Sequence, residues 1–160
     1  MSAIFSGPST RQVNLGLTLL RVVLGSVFVA HGAQKLFVFG FAGVAGAFGQ
    51  MGIPLASVAG PMVGLMEFFG GLALIAGLLT RPAALGLAIT MLGAIYFAHW
   101  PAGFFLPNGY EFVLTLFAGA LSLAITGAGA WSLDALIASR GRTAVAEAVE
   151  QPRAGTRRAA

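Results

Sequence analysis

An apolar run from Leu15 to Phe41 dominates the first quarter of the chain, with Arg21, His31, Gln34 and Lys35 set into it. Its first part, about Leu15 to Phe37, spans a ~30 Å hydrocarbon core with some tilt at ~1.5 Å per helical residue. Three more apolar runs follow, at about Pro61 to Leu79, Ala83 to Trp100 and Tyr110 to Thr126. Thr80-Arg81-Pro82 separates the second from the third as a tight basic turn. The turn-rich Pro101–Gly109 separates the third from the fourth, and Gly127-Ala128-Gly129 comes after the last. The pattern predicts an all-α polytopic membrane protein, a four-transmembrane-helix bundle.

Between the first two spans, Val38 to Ser57 carries no charge. Phe41, Val44, Ala45 and Phe48 recur there at helical spacing, and Gly43, Gly46 and Gly49 fall on another side. This predicts a short interfacial or re-entrant helix that stops at Gly52-Ile53-Pro54. In the second span, Pro61 is expected near the start, where its missing N–H is harmless. Gly60 and Gly64 form a GxxxG spacing, and Gly70-Gly71 mark a close helix contact. Trp100 and Trp131 are expected at interfaces. Ser132 then caps a short amphipathic helix, with Asp134 in its first turn, Arg140 in its last and Gly141 ending it. The chain divides into a lead over 1–14, a membrane domain over 15–136 and a basic, flexible tail over 137–160. Ala144 to Val149 is expected to form a transient helix within that tail.

Composition names the solvent. The chain is 58% hydrophobic and 9% charged, where soluble domains carry about a quarter charged residues. Lipid is therefore the natural surrounding of most of it. The absence of cysteine excludes disulfides, thiolate metal sites and a thiol nucleophile. The net charge of +4 reflects topology. Four crossings put Arg11, Arg81 and the tail arginines 140, 142, 153, 157 and 158 on one side, with Lys35 near the other. Both termini are then expected in the cytoplasm, with a bacterial inner membrane as the setting. Attraction to anionic lipid explains the basic ends better than nucleic-acid binding does. A cleavable signal peptide is the rival reading of the first run, and Arg21 interrupts its apolar core.

Ionisable groups inside hydrocarbon are costly, so they face a bundle interior or a cavity and pair with something. His31 and Glu67 lie at matched depths in consecutive antiparallel spans, which makes them a reasonable pair. Gln34, Lys35, His99 and Glu111 fall one turn further out. Phe28, Phe68 and Tyr96 supply aromatic walls. These residues outline a polar pocket in the extracytoplasmic half, with ligand or proton-relay candidates His31, Glu67, Gln34, Lys35, Glu111 and His99. A quinone suits such a pocket: its carbonyl needs a hydrogen-bond donor, its reduction needs a proton, and its tail needs apolar walls. The competing explanation is that these groups only satisfy one another and fix helix register. Arg21, in the other half, is expected to form a structural ion pair, within reach of Glu67 if the helices tilt. No catalytic residue, metal site or resident cofactor is evident. Two histidines at unequal depths, without Cys-x-x-Cys-His, argue against haem or copper.

With these residues laid out, the chain resembles the DoxX family of small four-helix membrane proteins. The matching pieces are Leu20-Arg21 with Gly25, His31-Gly32, Lys35-Leu36, Glu67, Gly70-Gly71, and Leu74 to Arg81. Asn108 to Phe112 and Trp131-Ser132-Leu133-Asp134 complete the match. The resemblance implies a four-helix membrane bundle. Its functional implications are diverse: the quinone-facing subunit of thiosulfate oxidation, parts of membrane oxidoreductase complexes, and stress or detoxification proteins. The expectation is an oxidoreductase-associated membrane subunit that binds a quinone or other lipophilic ligand and works with membrane or peripheral partners or as a homo-oligomer. The alternative is a non-catalytic accessory subunit packing against a larger complex. A small transporter is a third reading, weakened by the lack of an inverted repeat.

Overall fold

The computed structural model describes residues 7–142 and is all-helical over them. Helix α1 (Thr10–Ala33) begins five residues before the apolar run. Ser9 and Gln12 explain the early start as a reciprocal capping box: Gln12 N–H donates to Ser9 Oγ at 3.3 Å, and Ser9 N–H donates to Gln12 Oε1 at 2.8 Å. The helix continues through a π-helical turn (Gln34–Phe39). Gly40, at φ +66°, then redirects the chain into α2 (Gly40–Gln50). The expected short helix is therefore present, and it is tucked against the bundle. Val44 is buried, and a Cβ on Gly60 of the next helix would meet Val44 at 3.0 Å and the Ala45 nitrogen at 3.1 Å. Gly52, at φ +72°, closes α2: its N–H donates to Gly49 O and that of Ile53 to Phe48 O.

Helix α3 (Ala56–Ala76) starts five residues before Pro61, which lies inside it. Pro61 removes one backbone bond there, and the packing of Gly60 on α2 offsets the loss. Gly77, at φ +67°, ends α3 in the same way as Gly52 ends α2, with Leu78 N–H donating to Ala73 O at 2.9 Å. The turn is therefore Gly77–Leu79. Thr80-Arg81-Pro82, expected to be the turn, is the first turn of α4 (Thr80–Ala94), where a proline nitrogen costs nothing. A π-helical turn (Ile95–His99) and a 3-10 turn (Trp100–Ala102) extend α4. Helix α5 (Glu111–Thr126) comes next, then α6 over 133–142, with Ser132 Oγ accepting from Ala135 N–H at 3.1 Å. Gly141 does not end α6, since residues 141 and 142 remain helical. The tail arginines 153, 157 and 158 and the expected Ala144–Val149 helix lie outside the described residues.

Three segments, Thr10–Gln50, Ala56–Ala76 and Thr80–Ala102, contain helix long and apolar enough to cross a membrane. With α5, about 24 Å long from its 16 residues, they form the bundle. Its core joins Leu24 and Phe28 of α1, Leu74 of α3, Leu87 and Met91 of α4, and Val113, Leu116, Ala120 and Leu123 of α5. Leu19, Phe69, Ile89 and Ile125 are exposed and form the lipid-facing surface. Helices α1 and α3 meet backbone to backbone: a Cβ on Gly25 would lie 2.6 Å from Gly71 O, and one on Gly32 would lie 2.4 Å from Phe68 N.

A polar clasp closes one end. Arg21, 3% exposed, donates to Ile75 O at 3.2 Å, to Leu74 O at 3.4 Å and to Trp131 O. It thereby satisfies the last carbonyls of α3. Asp134 accepts from Leu79 N–H at 2.7 Å and Thr80 N–H at 2.9 Å, so a residue of α6 caps α4 from a distance. Burial pushes the Asp134 carboxyl up, but those backbone donors and the nearby Arg21 charge outweigh it and hold the carboxyl below its usual range. Arg21 does not approach Glu67: it lies two turns of α3 beyond it, tied to Leu74 and Ile75. Asn14 Oδ1 accepts from Ala130 N–H at 2.9 Å at this same end.

Two outcomes are expected for stability in detergent. Gly71→Ala forces the α1–α3 backbones apart and lowers unfolding stability by about 1–3 kcal/mol, whereas Gly16→Ala, with nothing within 4 Å, leaves it unchanged or improved. Asp134→Asn lowers stability at neutral pH by about 0.5–2 kcal/mol, the usual value of such a cap. A carboxyl depressed in the folded state stabilises it above the unfolded pKa and loses that effect as pH falls through the folded pKa. The gap between wild type and variant therefore narrows as melting curves are taken down through and below the ordinary carboxylate range.

Candidate functional site

The polar residues inside the bundle collect at the end opposite the Arg21 clasp. Gly32 sets the geometry, because the absent side chain lets α1 approach the α3 backbone at Phe68. Lys35, on the π-helical turn just beyond, then reaches Glu67, with Nζ to Oε2 at 2.5 Å. Glu67 is 3% exposed, and a carboxylate at such a depth persists only with a partner.

His99 ends the π-helical turn after α4. Its Nδ1 lies 2.9 Å from the carbonyl oxygen of Asn108. A carbonyl only accepts, so Nδ1 carries the proton, and Nε2 is the nitrogen left to take or give one. The 103–110 loop that supplies Asn108 is held by backbone bonds from Tyr110 N–H to Gly103 O and from Glu111 N–H to Phe104 O, both 3.0 Å. Glu111 adds its side chain, with Oε1 accepting from Leu106 N–H at 2.7 Å. Trp100 stacks on Tyr110 at 5.3 Å beneath this loop.

Two cavities adjoin the Lys35–Glu67 pair. One of about 170 Å³ lies under the loop, lined by His31, Lys35, Glu67 and His99 and walled by Phe28, Met91, Leu106, Pro107, Phe112, Val113 and Leu116. The other, about 390 Å³, lies between α2, α3 and the end of α4. Phe48, Met51, Ile53, Val63, Ile89, Thr90, Gly93 and Phe97 line it, and Lys35, Glu67 and His99 form its polar side. Its size falls in the ~300–1,000 Å³ range of small-molecule sites. Ile89, one of its lining residues, is 61% exposed on the spanning part of α4, so this wall of the cavity borders the lipid-facing surface.

The structure thus brings together His31, Lys35, Glu67 and His99. Lys35, rather than His31, takes the Glu67 carboxylate: just past the Gly32 contact, its longer side chain reaches Oε2. His31 stays beside the pair and lies 6.4 Å from the Phe112 ring. Gln34 is not part of the cluster and lines an outer groove with Phe37 and Val38. Glu111 lines neither cavity and clamps the loop. Of the expected aromatic walls, Phe28 lines the smaller cavity. Phe68 packs edge-on against Phe37 and Phe69, and Tyr96 is exposed beside Phe97. Sequence reasoning misses Phe48, Met91, Phe97, Phe112 and Thr90. Apolar residues that line a cavity carry no signal distinguishing them from packing residues.

Truncating one partner of a buried ion pair strands the other charge. Lys35→Met is therefore expected to cost about 3–5 kcal/mol of unfolding stability. The double variant Lys35→Met/Glu67→Leu is expected to recover most of that loss, read from thermal unfolding of the purified proteins. A double variant as unstable as the single one refutes the stranded-charge account.

The family model for DoxX matches residues 16–100, which includes Lys35, Glu67 and His99. The chain is 38% identical to Inner membrane protein YqjF of Escherichia coli (strain K12) over 78% of this chain and 93% of that one. It is 34% identical to the membrane protein Rv3486 of Mycobacterium tuberculosis, over 76% of this chain and 80% of the other. It is also 32% identical to a Bacillus subtilis (strain 168) protein, CatD, whose name marks it as a candidate oxidoreductase, over 79% and 90%. No solved structure matches the chain significantly. These matches and the four-helix membrane fold agree: the chain belongs to the DoxX family.

Proposed function

We propose that this protein is a membrane subunit of an oxidoreductase system and takes a quinone-like lipophilic carbonyl compound in the 390 Å³ cavity. The observation that carries the reading is the position of the Lys35–Glu67 pair, a charged hydrogen-bonding wall at the inner side of an apolar, bilayer-facing cavity. The oxidoreductase name of the Bacillus subtilis relative points the same way. A ring entering from lipid meets Phe48, Val63 and Phe97, and its carbonyl meets the Lys35 ammonium, which donates a hydrogen bond. His99 Nε2 accepts from the hydroxyl formed on reduction. Electrons come from a partner protein of the system, and two electrons and two protons convert the quinone to the quinol. Arg11, Arg81, Arg140 and Arg142 gather at the clasp end, which favours a cytoplasmic clasp and an outward-facing pair.

The test uses Trp100, close to His99, as the reporter. In lipid nanodiscs, in a Trp131→Phe background, a short-tailed ubiquinone analogue is expected to quench Trp100 fluorescence saturably. Gly93→Leu fills the cavity from a position with open space around its Cβ, and is expected to weaken the binding at least roughly tenfold. Equal, unsaturable quenching in both proteins means that the ring only dissolves in the bilayer, and it overturns the proposal.

A further inference from the structure

The two cavities share Lys35, Glu67, Ala94 and His99 and otherwise differ in their lining. The 170 Å³ cavity adds His31, and its roof is Leu106, Pro107 and Gly109 of the loop joining two spans. Such a loop lies where the chain leaves the bilayer, beside the Trp100–Tyr110 stack of the kind found at interfaces. Beyond the shared residues, the 390 Å³ cavity adds one polar side chain, Thr90, whose hydroxyl already donates to Gly86 O at 3.0 Å. Water occupies a cavity that is roomy and offers several polar partners. The smaller cavity meets both conditions. The larger one meets them only at the shared wall.

We propose that the Lys35–Glu67 pair is a partition between two solvents: water in the chamber under the 103–110 loop, and hydrocarbon in the bilayer-facing chamber. The pair fits that task. Glu67 is almost fully buried, Lys35 reaches it at 2.5 Å, and both side chains line both chambers. The water chamber then supplies protons to the shared wall. Water delivers a proton to His99 Nε2, whose Nδ1–H is committed to Asn108, and the imidazolium returns it from the same nitrogen. The other ionisable groups facing the chamber are His31 from α1, Lys35 from the π-helical turn and Glu67 from α3. Glu111 of α5 spends Oε1 on Leu106 N–H. The use of these protons in quinone reduction rests on the proposed function; the partition does not.

The cysteine-free chain makes the partition directly measurable. Single substitutions Met91→Cys and Val113→Cys report on the chamber under the loop, and Gly93→Cys reports on the bilayer-facing one. Each variant is placed in nanodiscs, checked by elution profile and melting, and treated with a charged trimethylammonium methanethiosulfonate. Modification of Met91→Cys or Val113→Cys is expected to be at least roughly tenfold faster than that of Gly93→Cys, which reacts fully only after denaturation. Adding Lys35→Met to Gly93→Cys is expected to raise its rate roughly tenfold. Either of the first two positions suffices, should the other fail to fold. Equal rates at the two chambers, or a Gly93→Cys rate indifferent to Lys35→Met, overturn the proposal. No quinone is present, so a failure of ligand binding leaves this result untouched.

Discussion

Helices α1 and α3 touch through their backbones, and the interior of the protein depends on that contact. Gly25 and Gly71 face each other at the middle of the crossing, and Gly32 meets Phe68 further along. In lipid there is no hydrophobic drive to push two helices together, so association rests on close packing. Glycines allow it. The same closeness leaves no room for apolar side chains between the helices near Glu67. A lysine one turn past Gly32 becomes the group that can neutralise the carboxylate.

The two ends of the bundle then solve the same problem differently. At the clasp end, Arg21 spends its two terminal guanidinium nitrogens on backbone carbonyls and Asp134 spends its oxygens on backbone N–H groups. Every partner there belongs to a helix terminus, and the result is a rigid joint between α1, the α3–α4 turn and α6. At the other end, Lys35 and Glu67 spend their charges on each other, and His99 and Glu111 hold a loop. Open volume remains beside that pair on two sides. The open volume beside a charged pair is what marks this end as the candidate site.

Both extensions of the spanning helices at the site end are π-helical, over Gln34–Phe39 and Ile95–His99. A π turn widens the helix and leaves weaker backbone bonding than an α turn, so it persists where side-chain packing rewards it. Here one π turn carries Lys35 and the other ends on His99.

Much of this was legible in the sequence. Four apolar runs with turn formers between them dictate four helices, because an unpaired backbone cannot cross hydrocarbon. Gly52 announces a helix end, since a positive φ there suits glycine, whereas α3 ends at Gly77, ahead of the turn expected at Thr80-Arg81-Pro82. The apolar pattern alone starts the first helix at Leu15, and the Ser9–Gln12 capping box moves the true start of α1 to Thr10. The membership of His31, Lys35, Glu67 and His99 in one half of the bundle also came from their depth along the spans. Which of them pair did not. Depth is a one-dimensional property of a helix, whereas pairing depends on rotation about the axis. That rotation is set by the glycine contact between α1 and α3. The cavities are likewise a tertiary product, for an apolar residue beside empty space and one beside a neighbour read alike along the chain. A bilayer-spanning bundle with a charged interior follows from the order of residues along the chain. Where open volume lies beside those charges follows from how α2, α3, α4 and α5 surround them, because no run of residues records an unfilled space.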